Sequence, residues 1–232
     1  GLTRSKKNQK SMLSFISPDL IIDIGANTGQ FAKEMRTRNF NGEIVSVEPS
    51  QSAYEQLTKN AFYDKKWIVM KRMALGSCTG ISEINVAANS LSSSLLSMTT
   101  LHIENEPDSI FLTKEKVEIS TLDEILYNRI NTGILIAVKV DVQGYELEVL
   151  RGGMNVIPFI ECFQIEMSTT ELYVDSPKLW EIFKFMDEMG FKLIEIIPVF
   201  RDKAKRLLQI DGIFLKNNQP IIFSEIGKSN EN

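Results

Sequence analysis

Short apolar runs alternate along most of this chain with stretches in which apolar residues recur at helical spacing. Each run has the length and the Val, Ile and Leu content that are typical of a strand buried on both faces of a parallel sheet. Strands are therefore predicted at residues 20–24, 43–47, 67–75, 134–142 and 159–167.

Helices are predicted between several of these strands and after the last one. In residues 177–189, Ile182 and Met186 fall on one apolar face that is typical of a helix packed on a core. Residues 191–197 and 210–215 form two further strands with no helix between them, so we expect an antiparallel hairpin. The pattern predicts an α/β fold with a mostly parallel sheet and one antiparallel edge strand. The other predicted helices cover residues 30–38, 51–60, 121–128 and 145–150.

Residues 89–115 interrupt the alternation, because they are polar and show no regular pattern. Loops of this length often act as lids or binding loops, so we expect this one to cover a binding site. The single histidine of the chain, His102, lies here, and we expect it to be exposed to solvent. Before the loop, residues 81–87 alternate like a half-exposed antiparallel strand, and after it residues 116–120 predict a short strand.

The composition fits one domain. The chain has 232 residues, of which 43% are hydrophobic and 24% are charged, enough for one large α/β core with little room for a second. We assign residues 18–217 to this domain, residues 1–17 to an N-terminal extension and residues 218–232 to a C-terminal tail. A net charge of −4 and a pI near 5.3 argue against a general nucleic-acid-binding surface and leave room for a local basic patch.

Cysteine usage and hydropathy bear on the compartment. Cys78 and Cys162 lie far apart in or beside apolar runs, so we expect two buried free thiols in a reducing compartment. No apolar run reaches the ~18 residues that a membrane span needs. Residues 1–17 also lack the long apolar core of a signal peptide. These features predict a cytoplasmic protein without a membrane span.

The best-defined motif is the turn after the first strand, which contains Gly25, Asn27 and Gly29. Glycines let the backbone turn sharply and approach a ligand, and the following helix directs free N–H groups at the turn. Strand, glycine turn and helix form the first unit of many nucleotide sites, whereas an ordinary tight turn is the alternative. The spacing differs from the dinucleotide fingerprint, with Gln30 at the third glycine position. The nearby Asp23 suits a cationic ligand better than a pyrophosphate.

Acidic side chains occupy the carboxyl ends of four predicted strands, where parallel sheets bind ligands. Because Asp is depleted in strands and a buried carboxylate is costly, this is an uncommon arrangement. Glu48 follows Asp23 by 25 residues, near the spacing of ~20 at which an acid reaches a ribose diol. Ala74 and Leu75, at the end of the third strand, either form a wall for adenine or belong to the core. The four acids are Asp23, Glu48, Asp141 and Glu166.

The second informative stretch begins at Asp141. This residue ends the most apolar strand, Gly144 bends the chain, and Glu146 starts the next helix. A carboxylate in this place is a candidate for the functional site, and a helix N-cap is the alternative.

These motifs together resemble the FkbM-type methyltransferases, over about residues 18–217. The resemblance implies S-adenosylmethionine as the methyl donor and the Rossmann-like class I methyltransferase fold, with a seven-stranded sheet and helices on both faces. It also implies O-methylation of a hydroxyl group on a sugar, a glycan or a secondary metabolite, and hence a small-molecule or glycan acceptor. The matching motifs are DIGANTG at 23–29, VEP at 47–49, SSSL at 92–95, TLD at 121–123 and KVDVQGYE at 139–146.

The same resemblance implies roles for individual residues. Glu48 would hold the ribose of the donor, and Asp141 with the turn after it would face the methyl group. Gln143 stands where the family usually has an acid, which removes a charge and weakens the case for a metal or a two-carboxylate mechanism. The methionine part of the donor would be held by Asp23, Gly25, Asn27 and Gly29.

Three functions fit this sequence. The first is O-methyl transfer without a metal. The second is the same reaction with a divalent metal held by Asp141 and Glu166, because two carboxylates and waters can suffice for magnesium. The third is a binding module that has lost turnover, or a dinucleotide oxidoreductase, against which the missing third glycine argues.

Asp141 and His102 are the two candidate catalytic bases. Histidine has an ordinary pKa of ~6.5, which suits a base at neutral pH, whereas that of aspartic acid is ~3.9. We nevertheless favour Asp141, because it ends a strand at the predicted site. His102 lies in an irregular loop.

Overall fold

The computed structural model describes residues 10–89, 91–130 and 133–217. The predicted C-terminal tail and the first nine residues of the predicted extension lie outside this part of the chain. The main sheet has seven strands in the order β3-β2-β1-β7-β8-β10-β9. They are β1 (Leu20–Ile24), β2 (Glu43–Val47), β3 (Trp67–Val69), β7 (Ile136–Val140), β8 (Cys162–Ser168), β9 (Phe191–Arg201) and β10 (Leu207–Lys216).

The order of the strands reverses at β1, which pairs in parallel with β2 on one side and with β7 on the other. Such a switch point is where open α/β sheets bind ligands. The predicted C-terminal hairpin is present, but the antiparallel strand is not at the edge. Strand β10 inserts between β8 and β9 and is antiparallel to both, so β9 forms the edge. Local sequence reveals the hairpin, whereas only long-range pairing decides which of its strands joins the sheet.

Helices cover both faces of the sheet. On the first face, α1 (Gln30–Thr37) and α2 (Gln51–Ala61) share an apolar core with Met12, which is fully buried. Part of the predicted N-terminal extension therefore packs against the sheet. On the second face lies the larger apolar core, to which three helices contribute. They are α4 (Leu122–Leu126), α5 (Glu146–Arg151) and α6 (Leu179–Glu188).

A second sheet of three strands corrects the prediction for residues 67–75. Residues 67–75 form not one strand but two: β3 in the main sheet and β4 (Ala74–Leu75) in the small one. Strand β4 pairs in parallel with β6 (Phe111–Ser120), which pairs antiparallel with β5 (Gly80–Ala87).

Much of residues 89–115 is regular, contrary to expectation, because the segment contains α3 (Thr100–Asn105) and the first half of β6. Helix α3 begins at Thr99, whose hydroxyl accepts a hydrogen bond from the His102 amide. Most residues in the first half of β6 are exposed, so that half has no apolar alternation that would have revealed it. A covering role for the remainder of the segment stays a prediction.

Two side chains differ in burial from the expectation. Cys162 is buried as predicted, and this burial raises the pKa of its thiol, but Cys78 is exposed. His102 is only 3% exposed, because its ring packs against Tyr173 and Phe200. Among the residues that the structure describes, no helix is long and apolar enough to cross a membrane.

Candidate active site

The glycine turn brings the ends of β1 and β7 into direct contact. The Asp141 amide donates a hydrogen bond to the Ile24 carbonyl at 3.0 Å. Gly25 has a φ of +78°, and a Cβ atom there would lie 1.8 Å from the Asp141 carbonyl oxygen. Only glycine therefore permits this approach. Gly29, with a φ of +88°, begins α1 and lies against Trp67 in the same way.

Glu48 lies at the end of β2 and is directed toward this turn. Its two carboxylate oxygens accept hydrogen bonds from the backbone amides of Asn27 and Ser50, each at 2.8 Å. Burial raises the pKa of Glu48 to about 7, and the two amide donors oppose this rise only in part. The structure thus brings Glu48 and Asn27 together, as the sequence predicted.

A buried lysine joins the acids at the switch point. Lys139 on β7 is the register partner of Asp23 on β1, and its ammonium nitrogen lies 2.8 Å from Asp141 Oδ2. Burial raises the pKa of Asp23 to about 7, although the charge of Lys139 lowers it. The surrounding carboxylates raise the pKa of Lys139 above its ordinary range despite its burial, so this ammonium stays charged.

Gln143 links the two acids that were considered as metal ligands. Its amide nitrogen donates to Asp141 Oδ1 and to Glu166 Oε2, both at 2.7 Å. Its amide oxygen accepts a hydrogen bond from the Tyr173 hydroxyl, also at 2.7 Å. The residue has a φ of +56°, so the turn holds it in an uncommon backbone conformation.

These contacts shift the pKa values of the Asp141 and Glu166 carboxyl groups in opposite directions. Burial alone raises the pKa of Asp141, but Lys139 and the hydrogen bond from Gln143 outweigh it, and the pKa falls below its ordinary value. Burial and the neighbouring charge of Asp141 raise the pKa of Glu166 well above its ordinary value. Asp141 therefore stays ionised at neutral pH, and Glu166 holds a proton more readily than an ordinary glutamic acid does.

A cavity of about 480 Å³ opens beside Asp141, between α1 and the face of the sheet. Its floor includes Lys139, Gln164 on β8 and Asp211 on β10, and its wall is the side of α1 that carries Gln30, Lys33, Glu34 and Thr37. The three floor residues were not predicted from the sequence as site residues. The available signal was a polar residue at an alternate position of a largely apolar strand.

A second, narrower cavity of about 60 Å³ lies on the other side of the glycine turn. Ala74 and Leu75 line it together with Glu48, which agrees with the predicted adenine wall in position. Leu91, which is 58% exposed, lines both cavities. The two cavities thus meet at the turn and at Asp141.

His102 is not brought into either cavity. Its ring centroid lies 5.0 Å from that of Tyr173, whose hydroxyl contacts Gln143 on the other side. Burial lowers the pKa of His102, and its Nδ1 atom has no hydrogen-bond partner among the described residues. Asp141 and His102 are therefore separated by the side chains of Tyr173 and Gln143.

Comparison with known protein families agrees with this geometry. The family model described as the methyltransferase FkbM domain matches residues 23–193, most of the chain. The chain belongs to the FkbM methyltransferase family. The resemblance seen in the sequence motifs is therefore confirmed. The expected donor, S-adenosylmethionine, is the one that this family uses.

Two individual proteins are similar to this FkbM domain. The hexuronic acid methyltransferase AglP of Haloferax volcanii is 25% identical over 152 residues, which are 64% of this chain and 56% of AglP. The chain thus matches little more than half of that relative. A candidate tRNA (m1A22) methyltransferase of Streptococcus pneumoniae, solved with S-adenosyl-L-methionine, superposes with a TM-score of 0.52 at 8% identity. The superposition covers 91% of this chain and 72% of that one, and confirms the Rossmann-like methyltransferase fold.

The residues of the FkbM domain fit a sulfonium donor. One connected space is surrounded by three features. They are a glycine turn whose free space a Cβ would fill, the carboxylates of Asp23 and Glu48, and an apolar slot at Ala74 and Leu75. Carboxylates complement the cationic sulfur and the ammonium group of such a ligand. The apolar slot suits a purine ring.

The donor set between Asp141 and Glu166 does not suit a cation. The amide nitrogen of Gln143 donates to both carboxyl groups, and the Lys139 ammonium donates to Asp141. Hydrogen-bond donors thus lie where metal ligation would need free oxygen atoms. The described part of the chain contains no group of three or more His, Cys, Asp or Glu side chains that could hold a metal ion.

Proposed function

We propose that this FkbM domain transfers a methyl group from S-adenosylmethionine to a hydroxyl oxygen of a sugar, glycan or secondary metabolite, without a metal. The observation that carries the proposal is the position of the Asp141 carboxylate. It is held by Lys139 and Gln143 at the junction of the two cavities. The narrow cavity of about 60 Å³ has the chemistry of a donor site, and the cavity of about 480 Å³ is wide enough for a hydroxylated ring.

The donor side uses residues from three parts of the chain. Asp23 and the turn of Gly25, Asn27 and Gly29 hold the methionine part, and Glu48 holds the ribose. Ala74 and Leu75 face the adenine. The slot that Ala74 and Leu75 line has the volume of about two water molecules. The segment around Leu91 therefore has to move outward before a purine can enter the slot.

Asp141 orients the acceptor hydroxyl and accepts its proton. When bound, the donor supplies a methyl group on a positively charged sulfur and leaves as a neutral thioether. The acceptor oxygen forms the new bond to carbon, and its hydrogen passes to the Asp141 carboxylate. Holding the acceptor at attack distance supplies much of the acceleration, and a base within hydrogen-bond reach adds to it.

The nature of the acceptor is supported by charge and by one relative. AglP is named for a hexuronic acid, which is a sugar derivative. Four acidic side chains line the cavity against three cationic ones, so its formal charge disfavours the phosphates of a nucleic acid. The acids are Asp23, Glu34, Asp141 and Asp211, and the cations are Lys33, Arg38 and Lys139. A hydroxylated small molecule or glycan therefore fits the cavity better than a nucleic acid.

Glu48→Ala tests the donor side. Loss of hydrogen bonds to a charged group should weaken the binding of S-adenosylhomocysteine by about 1.5–3 kcal/mol, or roughly 10- to 150-fold. Isothermal titration calorimetry measures the change. Glu55→Ala, an exposed position on α2, is the matched control and should bind as the unmodified protein does. An unchanged affinity in Glu48→Ala would remove Glu48 from the site, and binding of NAD alone would refute the donor assignment.

The affinity for S-adenosylhomocysteine should increase as the pH rises through about 7. Asp23 and Glu48 have pKa values raised to about 7, so in the free protein both are largely protonated below this pH. Binding of an ammonium group and a ribose diol requires the ionised forms. The affinity should therefore rise by roughly tenfold between pH ~6 and ~8 for each carboxylate that has to lose its proton.

The ligand-free protein supplies an opposite trend as a control. Because the folded state binds these protons more tightly than the unfolded state, the raised pKa values lower the free energy of unfolding as the pH rises from ~4 to ~7. Chemical denaturation without ligand measures this slope. An affinity that is flat between pH ~6 and ~8 would show that neither carboxylate changes its protonation on binding.

If the domain is instead a binding module without turnover, the same purified protein should give a different result in a methyl-transfer assay. It would bind S-adenosylhomocysteine but transfer no labelled methyl group from S-adenosylmethionine to an oligosaccharide fraction from the cells of origin. Alkali-stable label in that fraction supports O-methylation of a hydroxyl group, whereas alkali-labile label would indicate a methyl ester on a carboxyl group.

A further inference from the structure

The cavity floor continues beyond Asp141 onto β8 and β10, where one polar pair stands out. Gln164 is 6% exposed, and its amide nitrogen donates to Asp211 Oδ2 at 2.7 Å. Both residues line the 480 Å³ cavity. The other amide atom, Gln164 Oε1, is buried and has no hydrogen-bond partner among the residues that the structure describes.

The surroundings show that this pair is not required by packing. Side chains alternate between the two faces of a strand, so Cys162 lies on the same face as Gln164, two residues earlier. Cys162 and Ile213, the register partner of Gln164, both belong to the apolar core beside α1. The same face is thus apolar at one end of the strands and polar at the end that lines the cavity.

A buried amide oxygen without a partner, such as Gln164 Oε1, needs a hydrogen-bond donor. Buried polar groups are almost always hydrogen-bonded, and an aspartate inside a strand needs similar compensation. Lys139, which follows next across the sheet as the register partner of Gln164, is already bound to Asp141. A ligand in the cavity can supply the missing hydrogen-bond donors.

We propose that Gln164 and Asp211 form an acceptor subsite that binds neighbouring hydroxyl groups of an uncharged sugar ring. This inference rests on the proposed function and names its substrate class. One ring hydroxyl donates to Gln164 Oε1, and the next donates to the Asp211 carboxylate. A 2.7 Å hydrogen bond joins the two side chains across adjacent strands, so both acceptor groups are close enough to be reached by adjacent hydroxyl groups of one ring.

The charge of the floor decides between an uncharged ring and a uronic acid in this subsite. Asp211 is the register neighbour of Glu166 and also lies near Asp141, so the subsite is bordered by carboxyl groups. Lys139 faces them from β7 and is paired with Asp141. Lys33 and Arg38 line the same cavity from the side of α1, where Arg38 is paired with Glu34. A ring carboxylate next to Asp211 would meet a like charge. The hydroxyl groups of a neutral ring would not.

The test measures sugar binding directly by saturation-transfer NMR on the full chain saturated with S-adenosylhomocysteine. The probes are the methyl glycosides of glucose, galactose and mannose, with methyl glucuronide as the charged comparison. We expect at least one neutral glycoside to bind, and to bind better than the glucuronide. Binding of the glucuronide alone, or of none of the four, would overturn the proposal.

Two variants locate the binding. Gln164→Leu removes the orphaned oxygen, and Asp211→Asn removes the charge at nearly constant shape, so the second decides if the first fails to fold. Each should weaken glycoside binding by at least tenfold and leave the affinity for S-adenosylhomocysteine unchanged. Gln56→Leu and Asp187→Asn, at exposed positions on α2 and α6, are the matched controls. Wild-type glycoside binding in Asp211→Asn would refute the subsite.

The calorimetric measurement of S-adenosylhomocysteine binding, which tests the donor side, also separates this inference from the proposed function. A chain that fails to bind S-adenosylhomocysteine contradicts both. A chain that binds it, transfers methyl groups and binds no neutral glycoside contradicts only the subsite at Gln164 and Asp211.

Discussion

Replacing Asp141 by asparagine should lower the turnover of methyl transfer by about 10²–10⁴-fold, the usual loss when a catalytic base is removed. The affinity for S-adenosylhomocysteine should change little, because the donor-side contacts of Glu48 and the glycine turn remain. The physical reason is specific to this site. Lys139 and Gln143 hold the Asp141 carboxylate ionised, and an asparagine there can neither accept the proton nor complement the ammonium.

Replacing the other candidate base, His102, should by contrast preserve turnover. His102 lies behind Tyr173, outside both cavities, so His102→Ala should retain activity if the protein folds. Turnover is measured with labelled S-adenosylmethionine across the pH range, and thermal unfolding checks each variant. If Asp141→Asn keeps nearly full activity while His102→Ala abolishes it together with a rising pH limb at about 6–7, the histidine is the base.

Lys139→Met should destabilise the folded domain by about 3–5 kcal/mol, the usual cost of leaving one partner of a buried ion pair without the other. Lys139 is 8% exposed and is the cation facing Asp23, Asp141 and Asp211. The raised pKa of Lys139 and the lowered pKa of Asp141 keep the wild-type pair charged at all ordinary pH values. In the variant, Asp141 would take up a proton more readily, so turnover should fall as well.

The pH dependence of this loss identifies its cause. At pH ~5 the carboxyl groups can neutralise by protonation, whereas at pH ~8 they stay charged without a counterion, so the destabilisation should grow as the pH rises. Chemical denaturation at the two pH values measures it. Lys33→Met, at an exposed position on the wall of the same cavity, is the matched control and should change stability by under about 0.5 kcal/mol. An equal loss at both pH values would indicate a packing defect.

Local sequence was sufficient for β1, the glycine turn and α1, and for the positions of Glu48 and Asp141 at the ends of their strands. The apolar run before Gly25 and the helical pattern after Gly29 specify β1, the turn and α1, because strand, glycine and helix signals are consecutive in the chain. The same holds for Glu48 and Asp141. Each follows an apolar strand directly, and in a parallel sheet all such ends meet at one edge.

Tertiary structure alone decided what depends on pairing between distant segments. Residues 67–75 divide between two sheets because β4 pairs with β6, more than forty residues later. Likewise, His102 is buried because Tyr173 and Phe200 reach it from other parts of the chain.

The proposed acceptor side of the site belongs to this second class. Gln164 and Asp211 become neighbours only because β10 inserts beside β8, and Lys139 joins them through the register of β7. Each is a polar residue in a largely apolar strand, which taken alone predicts nothing about its partners. The sequence by itself therefore determined the family, most strands of the main sheet and the carboxylates at the strand ends. The strand order and register of the sheet decided the composition of the cavity floor, because side chains from separate strands form one surface only after long-range pairing.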